Sequence, residues 1–227
     1  MDGRTLTFDV FGLLQGVLTM RDRQTGSVWT HLDGKAISGP LQGVRLRMVP
    51  MPQMSWGEWK ALHPKTVVLS SDTLFQDRYR PVRIGVFNRQ EAQFGDARLP
   101  ANTLVVGVEV EGQFKAYPLA ELQRAGGVVN DTLAGRPIVA LYDPEANSGL
   151  AYSRQLDGAT LDFSNASAEG FLPQDKQTGS TWDRQGRGTT GPLAGKALAF
   201  VPSFISEWYG WSGYHPQTTI FYAPPAP

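Results

Sequence analysis

Cysteine is absent from the 227 residues of the chain. Its absence excludes disulfide bonds, thiolate metal ligands and a cysteine nucleophile, whatever the fold. An excess of charge is absent too, because lysine plus arginine and aspartate plus glutamate both count 21. No tract of five or more basic residues occurs in the sequence. Nucleic acid and acidic membrane surfaces are therefore poor partners, since binding to them depends on clustered positive charge.

Long apolar runs are also lacking. A membrane-spanning helix requires about 20 consecutive apolar residues, and no run here approaches that length, so we predict no membrane span. The N-terminus leads directly into the strand-like run 5–8, without the basic start and apolar core of a signal peptide. The sequence is thus compatible with a cytoplasmic protein or with a chain that begins after a removed leader. Its 41% hydrophobic and 19% charged residues are typical of a folded globular chain.

The most informative feature that is present is an internal repeat. Residues 2–69 resemble residues 157–221 in four blocks, which keep the same order with only small gaps. The matching blocks are 2–8 with 157–163, 22–29 with 175–182, 39–50 with 191–202, and 56–66 with 208–218. A period of this length indicates a duplicated subdomain and not a solenoid repeat.

Short strands and helices can be placed on this framework. Residues 104–110 and 113–117 have the pattern of a β-hairpin around a Glu111-Gly112 turn. The stretch 119–124 then reads as a short helix, which follows a proline.

A second helix is predicted near the end of the first repeat. Ser55 and Glu58 have the spacing of a capping box, and Pro64 ends the helical segment. Regular turn residues elsewhere favour short strands.

Together these patterns predict a mainly β fold, a β-rich α+β protein with an internally duplicated unit and short helices. The predicted segments are a partial first repeat unit at 1–73, a linker at 74–103, a complete second unit at 104–222 and a tail at 223–227. The first unit is partial because residues 104–156 have no counterpart before it. Its first strand would lack a hairpin neighbour, so we expect a homodimer or close packing of the first unit on the second.

Several runs resemble a bacterial and archaeal family catalogued as domain of unknown function 3179. They include "DGRTLTF", "DRQTGSVW", "WGEWKALHPKTVVL" and "VVNDTLAGRPIVALYDP". The resemblance covers nearly the whole chain and implies a duplicated β-rich architecture and an extracytoplasmic location, with no established activity. Family members commonly carry a Tyr-Cys-Pro-x-Cys motif in the first unit. The matching stretch of the second unit, 142–146, has no thiol, so chemistry that depends on those cysteines is not expected here.

Two aspartates and two histidines at equivalent repeat positions are the candidates for catalysis. Asp22 and Asp175 open the Asp-x-Gln-Thr-Gly-Ser-x-Trp blocks and could act as paired carboxylates in acid–base chemistry. The alternative, which we favour, is that each carboxylate caps the following turn. His63 and His215 each follow a Trp-rich helix and could act as general bases or metal ligands. The favoured alternative is that each histidine closes a helix C-terminus.

Aromatic and charged residues supply the candidates for binding. All six tryptophans pair across the repeat. If exposed, they would make a stacking platform for a sugar or another flat ligand, and if buried they form the cores of the two units. The candidate binding residues are Trp29, Trp182, Tyr142 and Arg23.

Asp143 and Glu145 form the candidate metal site, because carboxylate oxygens suit hard cations such as Ca²⁺ or Mg²⁺. The alternative is that both lie in a solvated hairpin loop. No complete catalytic constellation occurs, so the leading hypothesis is a non-enzymatic binding or structural module with a small-molecule or carbohydrate ligand. The alternatives are a hydrolase with Asp and His at the interface of the repeats, and a divalent-metal-binding protein. Whether the protein binds a cofactor is unknown from the sequence.

Overall fold

Short, mostly antiparallel strands dominate the structure, a computed structural model that describes residues 5–79, 94 and 96–225. The described part contains 18 strands, three α-helices and one turn of 3-10 helix at Gln76–Arg78. The prediction of a mainly β protein with short helices is therefore confirmed. No helix in these ranges is long and apolar enough to cross a bilayer.

The elements are short and follow one another closely. The strands are β1 Phe8–Leu14, β2 Val17–Asp22, β3 Val28–Thr30, β4 Ala36–Ser38, β5 Leu104–Val110, β6 Gln113–Pro118, β7 Val128–Leu133, β8 Arg136–Asp143, β9 Ser148–Ser153, β10 Gln155–Leu156, β11 Ala159–Thr160, β12 Phe163–Asn165, β13 Pro173–Asp175, β14 Thr181–Trp182, β15 Gly188–Thr190, β16 Phe200–Val201, β17 Ser203–Glu207 and β18 Thr219–Ile220. The helices are α1 Trp56–Leu62, α2 Leu119–Arg124 and α3 Trp208–Tyr214.

The first unit contains an antiparallel sheet in the order β1-β2-β3-β4. Gln15 and Gly16 join β1 to β2, with φ of 51° and 79°. Two successive positive φ values match the right-handed twist of the flanking strands, so this turn favours a tight hairpin. After β4 the chain runs without regular structure to α1. The Ser55 hydroxyl caps this helix by accepting from the Glu58 N–H at 3.2 Å.

The second unit contains three four-stranded sheets. Their strand orders are β17-β5-β6-β18, β16-β9-β8-β7 and β12-β13-β14-β15. In the first of them, β17 pairs antiparallel with β5, and β18 runs parallel to β6. Helix α3 connects β17 to β18 and packs Trp211 against Gly107 of β5 and Phe114 of β6.

Side chains from both units share one apolar cluster at their junction. Val17 and Leu32 of the first unit pack with Val105, Trp208 and Trp211 of the second. The first sheet therefore packs closely on the β5–β6 hairpin within a single chain.

Two ion pairs also join the predicted units, one beside the β5–β6 hairpin and one at α1. Arg45 Nη2 lies 2.5 Å from Glu109 Oε2. Arg184 Nη1 lies 3.0 Å from Glu58 Oε2, although without the angle of a hydrogen bond. Partly exposed pairs of this kind contribute at most about 1 kcal/mol each, so the apolar cluster is the main attachment.

The predicted linker at 74–103 falls partly outside the described residues, at 80–93 and at 95. Its later part is held to the second unit, because Trp208 Nε1 donates to the Asp96 carbonyl at 3.0 Å. The division of the chain into two units and a linker stays a prediction.

Candidate functional site

The two aspartates of the repeated blocks are fully buried and bonded to neighbouring residues. Asp22 Oδ2 accepts from Trp29 Nε1 at 2.8 Å and from the Thr25 hydroxyl at 2.8 Å. Burial raises the pKa of Asp22, but the hydrogen bonds from Trp29 and Thr25 outweigh burial and hold the pKa below its usual value. The carboxylate therefore closes a turn and has no face open to a substrate.

The same contacts recur in the second unit. Asp175 accepts from Trp182 Nε1 at 3.0 Å and from the Thr178 N–H at 2.7 Å. The adjacent Ser180 hydroxyl accepts from the Leu193 N–H at 2.9 Å. The duplication stays a prediction, which these recurring contacts support.

Replacing either aspartate with alanine should destabilise the fold. Asp22→Ala and Asp175→Ala leave a buried indole N–H without its acceptor, so each should lower the free energy of unfolding by about 1–3 kcal/mol. Urea denaturation measures the change. Asp9→Ala is the control, because Asp9 forms a solvent-exposed pair with Arg23, and such pairs contribute little to stability. Unchanged stability in both buried variants would contradict this role.

Both histidines occupy helix C-cap positions through their backbone N–H groups, and the roles predicted for their rings stay predictions. The His63 N–H donates to the Trp59 carbonyl, and the His215 N–H donates to the Trp211 carbonyl, both at 2.8 Å. Their side chains differ in environment. The His63 ring is exposed, whereas the His215 ring is buried and stacks on Phe114 with 3.8 Å between ring centroids.

Burial keeps His215 neutral. It lowers the pKa of His215 from 6.5 to about 4, although the nearby Asp33 and Glu109 carboxylates raise it; Arg45 lowers it further. The ring lines a cleft of about 420 Å³ together with Tyr214. At neutral pH this cleft therefore presents an uncharged wall.

Sequence reasoning missed a polar cluster beside this cleft. Arg45 bridges Glu109 and Asp33, and the Tyr214 hydroxyl lies 3.3 Å from the Thr30 hydroxyl. No local spacing could have indicated it, because Arg45 and Glu109 are 64 residues apart.

The four predicted catalytic residues are not brought into one cleft. Asp22 and Asp175 sit in separate turns, and His63 and His215 line separate cavities. Among the described residues, no hydrogen bond joins either aspartate to either histidine. The catalytic assignment stays a prediction without a shared site.

The predicted binding residues offer little surface. The Trp29 and Trp182 rings are buried, so neither face is open to stacking with a sugar. Tyr142 is also buried, and its hydroxyl bonds to Asn147 at 3.2 Å. Arg23 is exposed and pairs with a carboxylate of β1.

The predicted metal ligands, Asp143 and Glu145, do not converge on a common site in the described structure. Asp143 Oδ1 accepts from the N–H groups of Glu145 and Ala146, and Oδ2 lies 3.3 Å from Arg184. Glu145 is exposed. Within the described ranges, no three His, Asp or Glu residues are grouped as a metal site requires.

Exposed apolar side chains concentrate in the first unit. We call residues 49–69 the open face. Its exposed large apolar residues are Val49, Met51, Trp56, Leu62, Val67, Val68 and Leu69. Trp56 is 52% exposed and Leu69 is 96% exposed, whereas Trp208, which matches Trp56 in the repeat, is 0% exposed.

The open face also contains backbone N–H groups without a hydrogen-bond partner among the described residues. Residues 67–69 form no hydrogen bond through their N–H groups within the described part of the chain. The matching stretch, 219–221, lies beside β6 and continues the sheet, and the Phe221 N–H donates to the Ala116 carbonyl at 2.8 Å. The open face thus combines exposed apolar side chains with backbone N–H groups at 67–69 that have no partner among the described residues.

Comparisons with known proteins agree with the sequence resemblance. No curated protein and no solved structure matches the chain. A family model described as protein of unknown function (DUF3179) matches residues 1–220. The chain therefore belongs to the DUF3179 family.

Proposed function

We propose that this protein is a non-enzymatic binding module whose working surface is the open face, and that it binds a polypeptide. One observation carries the proposal. Val49 and Trp56 are exposed whereas the matching Val201 and Trp208 are buried, and residues 67–69 lack, within the described part of the chain, the pairing that β18 makes with β6 in the second unit. Contiguous exposed apolar surface is characteristic of interaction sites, because soluble monomers expose little of it elsewhere.

A polypeptide suits this surface better than a sugar or a cation. An unpaired strand edge is completed by another backbone, which supplies both N–H and C=O groups. A cation site needs several oxygen ligands, yet the exposed residues of the open face are mainly apolar. The open face therefore favours recognition by strand addition together with apolar packing.

The hydrolase alternative receives no comparable support. It requires a carboxylate and an imidazole within hydrogen-bond reach in a shared cleft. Asp22 and Asp175 bond to their own turns, and His215 is neutral, stacks on Phe114 and packs against Trp211. A homodimer remains compatible with the proposal only as one form of polypeptide partner.

Hydrogen exchange with three separate probes tests the proposed function. Glucose, calcium chloride and an amphipathic β-hairpin peptide are each added to the full chain, and exchange is followed by mass spectrometry. We expect the peptide alone to slow exchange within residues 49–69, because only it can complete the strand edge.

Two variants sharpen this experiment. Val68→Asp with Leu69→Asp places charge on the open face and should abolish the protection. Leu172→Asp alters an exposed leucine in the second unit and should leave it unchanged. Protection by glucose or calcium, or by no probe, would overturn the proposed function.

A further inference from the structure

We propose that the partner of the open face is a β-hairpin in another polypeptide, with a glycine in its first strand and aromatic residues in its second. The inference rests on the proposed function and specifies its ligand. The second unit supplies the template, since the β5–β6 hairpin fills the equivalent position between β17 and β18. Each required feature of the partner follows from a contact made there.

Helix α1 presents its tryptophan in the same way as α3. Trp59 Nε1 donates to the Thr66 hydroxyl at 2.9 Å, and Trp211 Nε1 donates to the Thr218 hydroxyl at 2.8 Å. In both cases the hydrogen bond ties the ring to the segment that follows the helix. The hydrogen bond therefore fixes the Trp59 ring as it fixes the Trp211 ring, which packs on β5. A strand of the partner could pack on Trp59 in the same way.

The glycine requirement comes from β5. A Cβ atom added at Gly107 would lie 2.3 Å from Cε3 of Trp211. Carbon atoms at van der Waals contact are about 3.5–4.0 Å apart, so only glycine fits beneath the indole. A strand that packs on Trp59 in the same geometry needs glycine at the same position.

A cavity lies where the second strand would begin. Trp59 and His63 line a space of about 320 Å³, with Tyr152 and Arg187 on its other side. In the second unit the matching His215 ring is covered by Phe114 of β6. An aromatic side chain from the partner would occupy this cavity and stack on His63.

A second aromatic position follows from the strand edge. Phe221 stacks on Tyr117 of β6, with 5.5 Å between ring centroids. Leu69 matches Phe221 in the repeat and is exposed. The partner's second strand should therefore run parallel to residues 67–69 and place an aromatic ring over Leu69.

The opposite edge of the open face, at residues 51–55, is less suited to pairing with a strand. Residues 51–55 match β17, which pairs with β5. Pro52 stands in this stretch and cannot donate to a ladder. We therefore expect the main protection by a bound hairpin at residues 67–69.

The experiment uses a cyclised peptide with the sequence of residues 103–118, closed at its open end so that its strands are paired before binding. It is added to the full chain, and hydrogen exchange is measured at residues 67–69. Slower exchange is expected with this hairpin, while the same hairpin carrying Gly107→Val should bind about tenfold or more weakly, because the valine side chain would overpack against the indole. With the Trp59→Ala variant of the protein, the glycine and valine hairpins should bind equally well.

The remaining outcomes separate the two proposals. If the glycine and valine hairpins protect equally, or if a helical peptide of the same length protects as well, the hairpin assignment is overturned while polypeptide binding stands. If no peptide protects, both proposals fall. If light scattering shows a dimer that Val68→Asp dissociates and that excludes the hairpin, the partner is a second copy and the assignment is wrong.

Discussion

Trp208→Ala should lower the free energy of unfolding by about 3–5 kcal/mol, as expected for the truncation of a fully buried aromatic residue. Trp208 lies in the junction cluster, and its Nε1 donates to the carbonyl of Asp96. Its loss would open a cavity between the two units and leave that carbonyl without its donor. Urea denaturation at neutral pH measures the change.

Trp56→Ala is the matched control. Trp56 occupies the same repeat position in α1 but is half exposed, so its truncation should cost less than about 1 kcal/mol. The contrast between the two variants reports how completely each copy of the helix is covered. Equal losses of stability would contradict the description of residues 49–69 as an open face.

Acidification should weaken the fold through His215. Its folded-state pKa is about 4, below the ordinary value of 6.5, so between these pH values the unfolded chain binds a proton that the folded chain does not. The free energy of unfolding should therefore fall as pH drops from about 7 to about 4, by at most about 3 kcal/mol. Below about pH 4 this contribution no longer changes.

A pair of histidine variants isolates this effect. His215→Phe keeps a ring stacked on Phe114 but cannot titrate. The free energy of unfolding should therefore fall less between about pH 6.5 and about pH 4 in this variant than in the wild type. His63→Phe removes the exposed histidine at the matching position of α1 and is the matched control. Urea denaturation midpoints measured across this pH range test the prediction. If the midpoint changes with pH equally in the wild type and in His215→Phe, the neutral, buried state of His215 is contradicted.

Local chemistry could be predicted well from the sequence. The Glu111-Gly112 turn has φ of 49° and 78°, and the strands around it are Leu104–Val110 and Gln113–Pro118, close to the predicted hairpin. The Ser55 cap and the helix after it also occur as predicted. These features depend on residues a few positions apart, whose preferences the sequence shows directly.

Burial could not be predicted in the same way. Trp56 and Trp208 have the same local pattern, yet one is half exposed and the other is buried. The difference arises because the β5–β6 hairpin covers α3, whereas no equivalent hairpin covers α1 among the residues that the structure describes. Long-range contacts also explain why the bridge from Arg45 to Glu109 was missed.

The roles of the paired aspartates illustrate the limit of residue types as a guide to function. Asp22 and Asp175 were candidates for catalysis because carboxylates at matched positions can share acid–base work. The structure surrounds each with its own tryptophan and threonine donors. A repeated polar motif can therefore be an architectural element, since each copy needs the same turn.

Amide exchange at Leu69 tests the central claim most directly, with Phe221 as the reference in the same molecule. In the free protein, the Leu69 amide should exchange rapidly and the Phe221 amide slowly, because Phe221 donates to Ala116. Saturating glycine-containing hairpin should bring Leu69 towards the rate of Phe221. Slow exchange at Leu69 in the free monomer, or unchanged fast exchange with the hairpin bound, would contradict the account.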